Sequence, residues 1–443
     1  MDSQLSPTPL EGTETIVRQG QRGLEYAYFA FLLVAIGRVG DLIPGLASLP
    51  LGKLAMAVAL VLLVARWKQL PKLTAVATPL TRTALSLAVV AILLTPFSIW
   101  PGASVAFLYQ QLPILAATIL ITCKIASGWP QVRKIGVVLI IAAVVNALSA
   151  VLGFHGGRAS SSTNAYDTND LAYLLVSVLP LALAFALNAK TRASRIWYAS
   201  VAGVMGIAML LTSSRGGFFG LLAVVAFVVL MPIKRPRVKA ETGKARRGII
   251  PALLGIGCLA AVIWPNLPLE TRTHLATIMS LEKDYNTDTS NQNSRSSIWQ
   301  RNFLAVLRRP VGYGVDSFEM VDVLNGGKFR APHNSYLQAL VELGFLGLFL
   351  FLRAYLLAWR ALARTRQVLL SATGSDERDE MLVFARMLQA GLLGNAVSGF
   401  FLSMAYSMIL WTMFAAIIAC TSVVAAEFAN LMRSPVEVGP PID

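Results

Sequence analysis

Apolar residues run in blocks of roughly twenty along nearly the whole chain, and polar residues gather in the gaps between the blocks. A block of about that length crosses the hydrocarbon layer of a membrane as an α-helix. Inside that layer only helices and closed barrels satisfy their own backbone, and a barrel would show short alternating segments instead of long apolar runs. The pattern therefore predicts an all-α polytopic membrane protein. About twelve spans are expected, near 24–43, 49–65, 82–99, 103–124, 134–153, 169–189, 196–213, 216–232, 249–265, 334–356, 384–403 and 406–428. The first 22 residues are polar, and the segment from Leu24 is long enough to be a span instead of a cleavable leader.

Composition supports this picture. Of 443 residues, 56% are hydrophobic and only 14% charged, against about 25% charged in a soluble domain. The net charge of +15 would suit nucleic acid in a soluble protein. Here the basic clusters fall in alternate connections: Arg66, Lys68 and Lys72; Arg133 and Lys134; Lys190, Arg192 and Arg195; the run Lys234–Arg247; and Arg360, Arg364 and Arg366 in a predicted 357–383 loop. Short Lys/Arg-rich loops stay in the cytoplasm, where they also touch anionic lipid head groups, so a topology signal is preferred to a nucleic-acid or acidic partner. Both termini are then expected on the cytoplasmic side. The chain divides into a cytoplasmic tail (1–23), nine spans (24–265) with a basic loop at 233–248, a large outer loop (266–332), three further spans (333–428) and a second cytoplasmic tail (429–443). Cys123, Cys258 and Cys420 all lie in apolar runs, which implies neither a disulfide framework nor a metal site.

The 266–332 loop holds eight Lys/Arg and seven Asp/Glu, so it carries no topology signal, and a loop of this length calls for a function. Within it, Ser294–Pro310 sets Ile298, Phe303, Val306 and Leu307 at helical spacing, which predicts an amphipathic helix lying on the membrane or capping the bundle. "GYGVDSF" then supplies glycines for a turn. A second outer loop, Gly153–Asp170, is rich in Gly, Ser and Asn.

Three polar positions at the outer boundary invite chemistry. His333 precedes a helix start at which Asn334 can cap and Ser335 with Gln338 fits a capping box. The positive end of that helix favours a neutral imidazole, which can accept a proton near neutral pH. A structural interfacial histidine is the plainer reading. Arg215, in "LLTSSRGGFFGLL", sits between two apolar runs, whereas the outer turn Ser98–Ser104 carries no cation. An ionisable residue at membrane depth needs a partner or a purpose, and arginine grips phosphate with two parallel donors. Arg295 heads the amphipathic stretch and gains weight beside the other two; Arg158, Arg272, Arg301, Arg308 and Arg309 are further candidates. Asp167 and Asp170 precede the sixth span; Thr168 or Asn169 suits a helix cap and Asp170 a first turn, with an acceptor-hydroxyl or base-orienting contact as the functional alternative. Glu342 is a carboxyl two turns into the span after His333 that could reach an arginine or stay protonated. No phosphate-binding nucleotide loop, metal-ligand motif or serine-hydrolase elbow occurs, and no cofactor is expected. Two cations and a base at the outer edge fit a lipid diphosphate, with its head in water and its tail in the bilayer.

Four stretches in order, "DTNDLAYLL", "SSRGGFFGLL", "NSRSSIWQRN…RRPVGYGVDSF" and "APHNSYLQALVELGFLGLFLF", resemble the O-antigen ligase and polymerase superfamily over about Asp167 to Leu350. The resemblance implies a bacterial inner-membrane glycosyltransferase of the polytopic C-type with a large periplasmic loop. It further implies metal-independent, inverting transfer of a glycan from undecaprenyl diphosphate to the lipid A–core sugar by a ligase, to another lipid-linked repeat by a polymerase, or to a protein hydroxyl. On matching positions, Arg215 and Arg295 would bind the diphosphate and His333 would act on the acceptor hydroxyl; Asp170, Asn169, Asn334, Glu342 and Arg158 would contact the acceptor or support the site. A ligase is the leading expectation and a polymerase the alternative. A secondary transporter fits less well, because the single late loop breaks two-half symmetry; a sensor or scaffold without chemistry leaves the polar residues unused.

Overall fold

Every regular element among the described residues is a helix. The computed structural model describes residues 9–43, 45–68, 70, 78–161, 166–231, 269, 272–273, 294–372 and 375–433. In chain order the α-helices are α1 (Pro9–Ala35), α2 (Leu51–Ala65), α3 (Pro79–Leu94), α4 (Pro101–Gln110), α5 (Leu112–Ile125), α6 (Trp129–Leu152), α7 (Thr168–Asn188), α8 (Arg192–Leu211), α9 (Arg215–Leu230), α10 (Arg295–Arg308), α11 (Phe318–Leu324), α12 (Ser335–Ser371), α13 (Asp376–Gly399) and α14 (Met408–Arg433). Among the described residues, eight stretches are long and apolar enough to cross a membrane: α3 with its following turn, α4 with α5, then α6, α7, α8, α12, α13 and α14; α2 and α9 are shorter apolar helices. The expected span at 249–265, the basic loop at 233–248, Cys258 and His274 lie outside the described residues.

The most enclosed helices are α7 and α13, which pack on each other at the centre, with α8 and α9 against them. α12 runs along α13 and α3, and α14 closes against α5 and α12. The amphipathic helix expected in the long loop is α10. It buries Ile298 and Val306 against α12 but leaves Phe303 and Leu307 exposed, so only half of the expected apolar stripe faces protein.

Helix ends depart from the hydropathy pattern where polar groups decide them. α1 begins at Pro9, inside the stretch read as a tail, and stops at Ala35 instead of continuing to 43. Its last carbonyls are taken by Asn146, whose Nδ2 donates to Ile36 and Gly37 at 3.1 Å each. Arg38 then turns left-handed (φ 53°) and pairs with Asp41 at 2.8 Å. A loop was expected at 357–383, but helix continues to Ser371 and resumes at Asp376. The intervening Leu, Ala, Arg and Gln are good helix formers. Ser375 caps the new helix by accepting from the Arg378 N–H (3.1 Å), and Asp376, Glu377 and Asp379 suit its positive end.

The expected span at 334–356 is sharply bent at Gly344, whose φ of 69° and ψ of −169° are not helical. The rings of Tyr336 and Tyr355 lie 6.3 Å apart, whereas a straight helix would separate nineteen residues by about 28 Å. Residues 335–343 therefore fold back along 345–371, and both tyrosine hydroxyls reach the same level of α13: Tyr336 donates to the Ala396 carbonyl and Tyr355 to Asn395 Oδ1, each at 2.7 Å. The bend frees backbone groups that the "GYGVDSF" segment and its approach satisfy. Tyr313 N–H donates to Val341 O (3.0 Å), Gly314 N–H to Glu342 O (2.9 Å), and Phe345 N–H to Pro310 O (3.0 Å). A Cβ at Gly344 would meet Val311 O at 2.6 Å in addition to its positive φ. Gly344→Ala is thus expected to cost about 2 kcal/mol or more, seen as a lower thermal midpoint in detergent. Gly102→Ala, where a Cβ meets nothing within 4 Å, should leave the midpoint nearly unchanged.

Candidate active site

Arg215 opens α9, directly after the cap Ser214, whose Oγ accepts from Gly217 N–H at 3.3 Å. The preceding Ser213 has φ 51°, so the chain turns tightly into the helix. Gly216 and Gly217 are buried because neighbouring elements come too close for a side chain: a Cβ at Gly216 would stand 2.8 Å from the Phe401 Cβ, and one at Gly217 would collide with Ala172. The Ser398 Oγ donates to Gly216 O at 3.0 Å, fixing this end of α9 to α13. Arg215 itself is half-buried at the rim.

A second cation joins it. Arg158 Nε donates to Thr212 O and its Nη2 to Asn169 Oδ1, both at 3.0 Å. The same Asn169 oxygen accepts from Ser214 Oγ at 2.9 Å, so one amide ties the start of α7 to Arg158 and to the cap that precedes Arg215. The cap of α7 is Asp167, which accepts from Asn169 N–H (2.7 Å) and Asp170 N–H (2.8 Å). Thr168 and Asn169 had been expected to cap; Asp167 takes that role because its carboxylate reaches both free N–H groups, which releases the Asn169 side chain for Arg158. Asp170 lies in the first turn as expected.

His333 stands left-handed (φ 48°) before α12, with its N–H donating to Ser403 Oγ at 2.9 Å. Asn334 caps the helix by accepting from Tyr336 and Leu337 N–H at 3.0 Å each. The Ser335–Gln338 capping box does not form. Ser335 is inside the helix, where its Oγ donates to Leu402 O (2.6 Å) and accepts from Met404 N–H (2.8 Å), while Gln338 accepts from Ala405 N–H (3.4 Å). The 400–407 connection therefore holds both corners: Phe401 packs over Gly216, and Ser403 fixes His333. Trp299 of α10 donates to Pro332 O at 2.7 Å, tying the helix headed by Arg295 to the residue before the imidazole.

Electrostatics link the corners. Burial, then the charge of Arg295, lowers the pKa of the half-buried His333 below its ordinary 6.5; Arg330 acts in the same sense and Asp167 opposes it. The ring is therefore neutral at pH 7, chiefly through burial and not the helix end alone. Desolvation lowers the pKa of Arg158, Asp167 raises it and Arg215 lowers it. Asp167 thus acts on His333 and Arg158, and Arg158 feels Arg215. Arg215, Arg158, Asp167, His333 and Arg295 form one charge-coupled group at one end of the bundle.

Other candidates serve the scaffold. Glu342 is buried and accepts from Asp316 N–H at 3.0 Å; its hydrogen bond anchors the turn after α10 and does not go to an arginine. Arg301 pairs with the fully buried Asp322 at 2.7 Å and clamps α10 to α11, Arg308 reaches Asn325 at 3.4 Å, and Arg309 donates to Phe97 O at 2.5 Å. Asp167 was expected, with Asp170, as a carboxylate that could contact an acceptor hydroxyl or orient a base, whereas Arg330 was not expected and carries no signal beyond lying three residues before His333.

No curated protein matches the chain. A family model described as O-antigen ligase matches residues 200–352, a stretch that holds Arg215, Arg295, His333, Asn334 and Glu342 and stops short of Arg158 and Asp167 on the N-terminal side. Three of the four expected stretches lie inside the matched segment, so residues 200–352, within an all-helical bundle, are similar to the O-antigen ligase family.

Proposed function

We propose that this protein transfers a glycan from undecaprenyl diphosphate to an acceptor hydroxyl at the periplasmic face of the bacterial inner membrane, as an O-antigen ligase acting on the lipid A–core. The observation that carries this reading is the charge-coupled group of Arg215, Arg158, Asp167, Arg295 and His333 at one end of the bundle. In the proposed step the acceptor oxygen attacks the anomeric carbon, and the bond from that carbon to the diphosphate oxygen breaks with inversion. The acceptor proton passes to His333. Negative charge grows on the departing diphosphate, and the guanidiniums of Arg215 and Arg295 stabilise it. Fixed cations already in place suit a developing anion without a metal. Aligning donor and acceptor in one cavity supplies much of the remaining acceleration.

The test is transfer of labelled glycan from undecaprenyl diphosphate in proteoliposomes, without ATP or an ion gradient and with a chelator present. Appearance of label on added lipid A–core supports the ligase. Label only on a lipid-linked repeat makes the protein a polymerase, and no transfer to either acceptor refutes the reading. Asn169→Ala removes the shared acceptor of Arg158 and Ser214. Loss of two hydrogen bonds, each about 1 kcal/mol, is expected to lower turnover by up to about thirtyfold in the same assay.

A further inference from the structure

Among the described residues, two arginines at the other end of the bundle pair with no acid. Arg386, on α13, is 1% exposed, and Arg366, on α12, is half-buried. Arg386 Nη2 donates to Phe227 O at 3.3 Å, with its guanidinium 5.0 Å from the Phe227 ring centre. Arg366 Nη1 donates to Gln389 Oε1 at 2.6 Å, and Gln389 in turn donates to Trp359 O at 3.4 Å. Among the described residues, the remaining buried donors, Nε and Nη1 of Arg386 and Nε of Arg366, have no partner. The two guanidiniums are close enough to act on each other's charge. Nearby acids are engaged elsewhere: Glu380 pairs with Arg133 at 3.0 Å and Asp379 with Arg378 at 2.8 Å.

Enclosing one cation without a counter-charge is strongly unfavourable, and a second beside it adds repulsion. An apolar or amide side chain would fill either position without that penalty. The arrangement makes physical sense when an anion completes it. Thirteen residues separate Arg386 from the end of α13 at Gly399, about 20 Å along the helix. In the other direction, the acidic start of α13 at Asp376–Glu380 lies one to three turns away and marks the aqueous edge. Arg386 is thus within arginine reach of lipid head groups in the leaflet opposite the candidate active site. Three unpartnered N–H groups on two neighbouring planar forks suit a phosphate, which offers several acceptor oxygens at once.

We infer that Arg366 and Arg386, between α9, α12 and α13, form a binding site for a phosphate-bearing anion at the far end of the bundle from the glycan-transfer group. The half-buried Arg366 provides the opening and Arg386 the floor. This site is independent of the transfer reaction proposed above.

The full chain, purified in an uncharged detergent, is titrated with phosphatidylglycerol in mixed micelles, with inorganic phosphate, and with diacylglycerol as a tail-only control. The thermal midpoint is followed to give an apparent affinity. Phosphatidylglycerol is expected to raise the midpoint saturably and diacylglycerol to leave it unchanged. Arg366→Gln and Arg386→Met should each weaken the apparent affinity by about tenfold or more, and Arg364→Gln, on an exposed neighbour, should not. Arg386→Met without lipid should unfold at or above the wild-type midpoint, because it removes an uncompensated charge; a purely structural arginine predicts a lower one. A shift by inorganic phosphate equal to that by lipid identifies a free anion as the source. The inference is overturned when neither phosphate compound moves the wild-type midpoint, or when Arg366→Gln and Arg386→Met both titrate as wild type.

Discussion

Arg215→Ala is expected to reduce glycan transfer by about two to three orders of magnitude, the usual cost of removing a fixed group that meets developing negative charge, while the protein still reaches the membrane in normal amount. The expectation rests on how firmly the start of α9 is held. Gly216 and Gly217 let Phe401 and Ala172 press on the backbone, Ser398 fixes the Gly216 carbonyl, and Asn169 joins Ser214 to Arg158. These contacts hold the start of α9 through its backbone and its neighbours' side chains. Arg215→Lys should fail nearly as badly, because an ammonium offers a point charge in place of a planar fork. Charge that grows as the sugar leaves makes the loss fall on kcat more than on KM. Steady-state kinetics in proteoliposomes read both. Wild-type turnover in the alanine variant would remove Arg215 from the reaction, and full activity in the lysine variant would show that charge without fork geometry suffices.

The sequence foretold those parts of the molecule that hydropathy and local capping control. Each of the eight long apolar helices overlaps an expected span, though several overrun its ends, and α10 lies where Ile298 and Val306 repeat at helical spacing. Asn334 caps α12, as its side chain and position imply. What it concealed depends on tertiary contact. Gly344 sits in an apolar run where glycine is unremarkable, and only the docking of the "GYGVDSF" turn turns it into a reversal. Ser335 and Gln338 have capping spacing, but the 400–407 connection claims both side chains. Arg301 and Arg309 look as free in the sequence as Arg295 does; Asp322 and the Phe97 carbonyl bind them because the loop folds back on itself. Asp167 and Arg330 act on His333 across loops that no local pattern links. Cationic residues of one loop were thus visible as a class, and which of them the fold of the loop would engage was not.

His333→Ala is expected to lower transfer by about two to four orders of magnitude, the range for a positioned general base, and pH profiles can tell a base from a bystander. A base works when unprotonated, so its rate is full above its pKa and falls tenfold per unit below it. Burial and Arg295 hold the His333 pKa below 6.5, so the acid limb of the wild-type profile should lie below that value. Arg295→Gln takes a positive charge from beside the ring, which makes protonation easier and raises the pKa, so the limb moves to higher pH. Asp167→Asn takes away the opposing negative charge, lowers the pKa and moves the limb the other way. A diphosphate-binding role for Arg295 also lowers the plateau, but a loss of binding alone cannot displace the limb. Opposite displacements in the two variants, together with disappearance of the limb in His333→Ala, would assign the proton transfer to this imidazole. A limb that persists unmoved without His333 would hand the role to another group and leave the histidine as a structural element at the head of α12, held there by Ser403.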